Sequence, residues 1–299
     1  MKVTKWDGGQ ITEPGIYFGM PLEKYHSKDV CDGPSISATG LKEIATDSPY
    51  QYWAFSPYNP DRFVKDDSKK AHFSFGRAVH ALVLGDEVFS EHFKVAKFPD
   101  YKKGDARDWR DRVIAGGLAP LLKKEFDNVC AAVKAVKGCP DAVTLLDGQI
   151  EHSIFWKDSE TGVWLRSRPD VLPMAGSVAD LKTIATADFR KTDWAIQDLG
   201  YWIQLALVGI AMRDLMGQEL QTAALVFVEK SPPYHVFPRD IDPAWIEMGV
   251  ANCRRAINTF AHGLKTGEWP TRSDRYGGIP TSSPPKWMWE QHEQSGVAT

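Results

Sequence analysis

The chain has 299 residues, 43% of them hydrophobic, and its 36 Lys+Arg stand against 39 Asp+Glu for a formal net charge of −3. That is the composition of an ordinary folded protein with a sizeable core; no stretch approaches the ~18 consecutive apolar residues of a membrane helix. The opening MKVTKWDGGQITEPG lacks the apolar run of a secretory signal, and the 24 Gly and 19 Pro are scattered, so secreted, membrane and low-complexity classes fall away and a cytoplasmic protein is expected.

Residues 1–35 read as irregular with short extended pieces such as Gly15–Phe18, and Ser37 reads as the N-cap of a short helix, ATGLKEIAT, that stops before Asp47-Ser48-Pro49. The polar stretch from Asn59 to Lys70 has no apolar periodicity and reads as a loop. From Phe75 to Gly85, Val79, Leu82 and Val83 recur at helical spacing and a glycine ends the run. Between Lys94 and Arg112 seven Lys/Arg face four Asp, a basic excess of three, and a long helix is expected to follow through Lys137. Residues 152–156, 163–172 and 177–183 have the alternation and β-branched or aromatic content of a three-strand meander, with KDSETG and PMAG as its turns. A helix from about Thr192 to Leu215, strands at 222–229 and 234–238, and a helix from Pro243 to Leu264 complete the pattern. This order predicts an α/β fold, a mixed central β-sheet flanked by helices, as one domain over 1–270. The tail, 271–299, is rich in Ser, Pro and Gly and either packs on that domain or extends from it. The cysteines at 31, 130, 139 and 253 lack zinc-knuckle spacing and read as reduced, mostly buried thiols.

The chemistry is concentrated in the last two strands of the meander. A turn centred on Ala175 sets Asp170 opposite Asp180, where facing Cβ atoms are roughly 4.5–5.5 Å apart and like charges repel unless they share a proton or a cation. Lys182, two residues beyond Asp180, points to the same face of its strand. Two acids and an amine meeting this way suit phosphodiester hydrolysis, in which hard oxygen ligands hold a divalent ion. A surface hairpin with scattered charges is the plainer alternative, and a one-residue slip in register breaks the opposition.

Arg168-Pro169-Asp170 followed by Asp180-Leu181-Lys182-Thr183 resembles the PD-(D/E)XK nuclease motif. GIYFGMPLEKYHS (15–27), SISATGLKEIA (35–45), FGRAVHALVL (75–84), EHSIFW (151–156), the Gln204 helix, GEWP (267–270) and SSPPKW (282–287) resemble, in order, the nuclease domain of RecE-type exodeoxyribonuclease VIII, within the RecB-like and lambda-exonuclease-like group. The resemblance implies that Asp170 and Asp180 bind metal, joined by Glu151, His80 and the backbone carbonyl of Leu181. It implies that Lys182 serves the nucleophilic water and that Tyr201 and Gln204 form the glutamine motif of the following helix. Val208 departs from that motif, standing where tyrosine is usual, and Tyr201 lies one turn before Gln204 on a shared face.

The implied activity is a deoxyribonuclease using one or two Mg²⁺, with Mn²⁺ able to substitute. It would degrade double-stranded DNA from its ends, 5′ to 3′, in phage-type recombination within a bacterial host cell. A ring-like homo-oligomer and a single-strand annealing protein are its implied partners, with no membrane. A RecB-like single-strand or flap nuclease, an endonuclease, and a DNA-binding module without catalysis are the other readings. The overall charge does not advertise a polyanion partner, so the expected backbone contacts are local: Lys102, Lys103, Arg107 and Arg110 in the basic segment, and Arg168 beside the motif. A solvated helix face with ion pairs is the plainer reading of that segment, which also carries Phe98, Tyr101 and Trp109.

Overall fold

The computed structural model describes residues 3–64, 75–150, 152–172, 176–277 and 279–295. Its first part contains β1 (Val3–Lys5), β2 (Gly15–Phe18), α1 (Leu22–His26), β3 (Ser35–Ser37), α2 (Ala38–Lys42, continuing as a π turn over Glu43–Asp47) and α3 (Pro49–Phe55). Next come α4 (Phe75–Leu84), α5 (Asp86–His92), β4 (Phe93–Val95), α6 (Gly104–Ala115), β5 (Ala119–Leu121), α7 (Lys123–Lys137) and α8 (Pro140–Leu145). The motif region holds β6 (Gln149–Ile150), β7 (His152–Lys157), β8 (Trp164–Ser167), β9 (Val171–Leu172) and β10 (Ser177–Ile184). The chain continues through α9 (Phe189–Asp198), α10 (Tyr201–Met216), β11 (Thr222–Glu229), β12 (Val236–Asp240), α11 (Pro243–Thr266) and α12 (Lys286–Gln294).

The mixed α/β architecture is as expected, but the strands are paired differently. One sheet runs β1-β2-β7-β8-β3 and a second runs β10-β11-β12. β7 and β8 form the expected antiparallel pair. Residues 163–172, read as one strand, are broken: Pro169 has no N–H for a ladder, so the chain leaves β8 after Ser167 and re-forms as β9, antiparallel to β6. The hairpin expected to set Asp170 opposite Asp180 is replaced by a parallel pairing of β10 with β11, joined through α9 and α10. The centre of the expected turn, residues 173–175, lies outside the described residues, as do 65–70 of the expected loop.

The parallel choice follows from burial. TAALVFVE in β11 is apolar almost throughout, as suits a strand covered on both faces. Leu225 and Phe227 face a core shared with α10 and α11, whereas Val226 and Val228 face a second core shared with α4 and α7. β10 alternates in step: Val178 joins the first core and Leu181 the second. Asp180 and Lys182 therefore look toward α10. That helix is apolar around most of its circumference and packs on β7, β8 and β10, tying both sheets into one core.

The expected helix over 192–215 is two helices. Between them Gly200 adopts φ 61°, the left-handed region where a side chain is strained, and α10 restarts at Tyr201. Likewise the long helix expected before Lys137 is α6 and α7, separated by β5. Cys31 and Cys253 are buried, Cys130 and Cys139 partly so, and all four are free thiols.

Candidate active site

β10 is an edge strand of its sheet, and the acidic cluster forms along its open edge. The break at Pro169 frees Asp170 to turn toward β10, where its Oδ2 accepts a hydrogen bond from the Leu181 N–H at 2.9 Å. A carboxylate thus takes the place of a neighbouring strand. Because a residue's N–H and C=O leave an extended strand by the same side, the Leu181 carbonyl is directed to this edge as well. Asp170 Oδ1 lies 3.3 Å from His80 Nδ1 on α4. Gly76, one turn before His80, makes that approach possible: a Cβ there would sit 2.8 Å from Thr183 Oγ1 on β10.

On the α10 side, Asp180 Oδ1 accepts from Gln204 Nε2 at 2.7 Å, and Asp180 Oδ2 contacts Lys182 Nζ directly. Lys182 Nζ also donates to Gln204 Oε1 at 3.2 Å and sits 4.8 Å from the centre of the Tyr201 ring. The Asp180 side chain is only 4% exposed and that of Lys182 16%. The structure therefore brings His80, Asp170, Asp180, Leu181, Lys182, Tyr201 and Gln204 together. Glu151 lies outside the described residues.

Charges this close and this buried shift one another. Burial alone would lift the Asp170 carboxyl, but the His80 charge and hydrogen bond, the Lys182 charge and the Leu181 N–H hold it down at about 2. Asp180 moves up, driven by burial and by the neighbouring Asp170 charge against the pull of Lys182 and His80. Burial disfavours the charged forms of His80 and Lys182, yet the facing carboxylates prevail and raise both. Asp170 is the strongly ionised member, and Asp180 the one whose charge most needs a cation.

A profile for a PDDEXK-like domain family of unknown function, DUF3799, matches residues 37–277. The chain belongs to this family. The match runs from the end of β3 past α11 and includes every member of the cluster. A crystal structure of a candidate exonuclease from Eubacterium rectale is similar in fold: TM-score 0.55 at 15% identity, covering 93% of this chain and 99% of that one. No curated protein matches the sequence.

The cluster of this PDDEXK-like chain suits a hard divalent ion. Among the described residues no group of three His, Cys, Asp or Glu has the spacing of a preformed metal cage. Mg²⁺ does not require one, being held by one or two carboxylates while it keeps several waters. Each carboxylate offers about four lone-pair positions, and those of Asp170 and Asp180 are only partly used. A cavity of about 30 Å³ lined by His80, Asp170 and Leu181 has room for a water-sized guest. His80 meets Asp170 through Nδ1, so Nε2 is its route to a metal.

A larger cleft of about 240 Å³ adjoins the cluster through Tyr201 and Gln204 and is also lined by His26, Thr39, Lys42 and Arg168. Arg168 borders this cleft while its Nη1 donates to the Met20 carbonyl at 2.8 Å and reaches Ser153 Oγ at 3.4 Å. Arg166 is spent internally, on the carbonyls of Tyr25 at 2.6 Å and Ser27 at 3.0 Å. Lys102 and Lys103 lie just before α6 and Arg107 and Arg110 within it, and none of them lines the cluster or its cleft. Lys102 pairs with Asp100 at 3.9 Å and Arg110 with Asp111 at 2.7 Å. Lys42 was not singled out by the sequence, where it reads as one polar position on a short helix; the fold turns it into the cleft.

Proposed function

We propose that this chain is a Mg²⁺-dependent deoxyribonuclease, with Mn²⁺ able to substitute, that removes nucleotides from double-stranded DNA ends in the 5′ to 3′ direction. What supports this most is the meeting of Asp170 and Asp180 at one strand edge with Lys182 held between Asp180 and Gln204. Asp170, Asp180 and the Leu181 carbonyl are the metal donors, joined by His80 or Glu151, for one or two ions. Such an ion, when bound, polarises the phosphoryl group and acidifies water.

The chain's own groups do the positioning. His80 and the Leu181 N–H fix the two oxygens of Asp170, so that carboxylate stays ionised and correctly turned. Gln204 is the hinge of the cluster: its amide N–H₂ holds Asp180 and its carbonyl oxygen holds Lys182 Nζ. Lys182 Nζ, steadied by Gln204 and the Tyr201 face, directs the attacking water at phosphorus. The water gives up a proton to solvent as its oxygen bonds to phosphorus, the P–O3′ bond breaks, and O3′ takes up a proton from solvent. DNA is bound through its backbone, independently of sequence.

The finer assignments rest on the resemblance of the motif-bearing segments to the RecE-type nuclease domain. They are end dependence, polarity, a ring-like homo-oligomer, an annealing partner in phage-type recombination, and a place in the cytoplasm of a bacterial host. Among the described residues no single helix is long and apolar enough to cross a membrane. End-labelled linear duplex, single-stranded and covalently closed circular DNA, each incubated with Mg²⁺, test these assignments together. Mononucleotide release from the 5′-labelled duplex with circles left intact is expected. Efficient cutting of circles makes the protein an endonuclease, and a preference for single strands makes it RecB-like.

A further inference from the structure

Lys42 occupies an unusual position for a lysine. Its side chain is half-buried in the cleft beside the acidic cluster, and among the described residues no carboxylate pairs with its ammonium. Most half-buried lysines obtain a counter-ion or reach solvent with the amine. Here burial and the nearby Lys182 charge work against the protonated form and outweigh the favourable charge of the adjacent Glu43. The fold nevertheless makes room for the side chain. At Gly200 a Cβ would lie 2.8 Å from Lys42 Cδ and 2.9 Å from Cγ, so the glycine that restarts α10 also leaves space for the lysine stem. The remaining wall is mixed, with Leu22, Tyr25 and Leu199 beside the hydroxyls of Ser37, Thr39 and Ser167 and the Arg168 side chain, and it runs into the cluster at Tyr201 and Gln204.

Among the described residues the cleft offers the Lys42 ammonium and several hydroxyls, and no carboxylate lines it. We infer that Lys42 is a substrate-binding residue, which holds a phosphate group of the bound DNA strand in the cleft next to the cluster. This rests on the nuclease reading and adds to it a contact away from the bond being broken. The group is a phosphodiester within the strand or a phosphomonoester at its end; the two share the same recognition chemistry.

The test is Lys42→Met, which keeps the stem packed at Gly200 and removes the charge, alongside Lys42→Arg, which keeps the charge. DNA binding is measured in EDTA over a series of salt concentrations, and cleavage is measured with Mg²⁺. Lys42→Met should weaken binding roughly tenfold, the scale of one hydrogen bond to a charged group. It should also flatten the slope of log K against log[salt] by about 0.7–0.9, the signature of one lost phosphate contact that a purely structural change does not produce. KM should rise with kcat held, and Lys42→Arg should restore the slope. Duplexes ending in phosphate or hydroxyl separate the sources: a penalty confined to phosphorylated ends assigns the monoester, and an equal penalty at both assigns the internal diester. If Lys42→Met matches a DNA-cutting wild type in affinity and salt slope, this inference is overturned and the nuclease reading stands. A wild type that neither binds nor cuts DNA removes both.

Discussion

At the residue scale, the cluster works because each charged group is answered by another. Gln204 is the joint most open to test, since its amide bonds to both Asp180 and Lys182. Gln204→Ala leaves Lys182 held by Asp180 alone and should lower kcat by about tenfold or more, with DNA affinity little changed, because hydrogen bonds to charged groups are worth about 1.5–3 kcal/mol. Single-turnover cleavage at saturating DNA reads this directly, and an unchanged rate would remove Gln204 from the mechanism. The His80–Asp170 pair predicts a pH dependence of stability. His80 is raised above its ordinary 6.5, so its contribution is complete below that value and fades as pH climbs through the raised pKa. Asp170, held at about 2, contributes fully above 3.8 and loses its contribution only as pH falls toward 2. The pair is therefore strongest between these limits. In EDTA, the melting temperature of the wild type should fall more steeply above pH 6.5 than that of His80→Gln; parallel curves would show that the pair adds no stability.

At the element scale, one break in a helix shapes the site. Gly200 ends the α9 segment, starts α10 at Tyr201 and borders Lys42. Gly200→Ala imposes a left-handed conformation on a residue with a Cβ, at a cost of roughly 1–2 kcal/mol, and also presses on the Lys42 stem. Gly217, at the other end of α10, has φ 62° with open space around it. Gly217→Ala should lower the melting temperature to a similar degree while cleavage and DNA affinity stay as they were; Gly200→Ala should lose affinity too. Equal DNA binding by both variants would contradict this.

The same elements show how far the sequence could be read. Alternation within β10 correctly put Asp180 and Lys182 on one face with Leu181 on the other, because period-two patterning reflects burial directly. The spacing of Tyr201 and Gln204 put both on one side of α10, as observed. Strand partnership was not legible. Proximity along the chain favours a hairpin, whereas β11, apolar on both faces, requires a covered neighbour and wins β10 through a crossover. The acids still converge, through a side chain bonding to the Leu181 N–H rather than through facing strand positions. The place of Lys42 in the cleft was not legible either, since it depends on which helix end the side chain faces, a long-range contact that local pattern does not carry.

At the scale of the whole molecule, α10 links the two sheets, and the cluster and its cleft sit where they meet. The final segment stands apart from this arrangement: every described residue from 279 to 295 is exposed, and α12 buries none of its side chains. The family match also ends at 277. Removing residues 278–299 should shift the melting temperature by no more than about 2 °C, as expected where no buried contact is lost. A drop of many degrees would mean that the tail packs on the rest of the chain. For the central claim, hydrolysis of end-labelled duplex DNA by wild type and Asp180→Asn, titrated with Mg²⁺, is the most direct measurement. The wild type should release labelled mononucleotides only when Mg²⁺ is present, and Asp180→Asn should be inactive at every concentration. Equal cleavage by the two proteins, or wild-type cleavage undiminished in EDTA, would contradict the account.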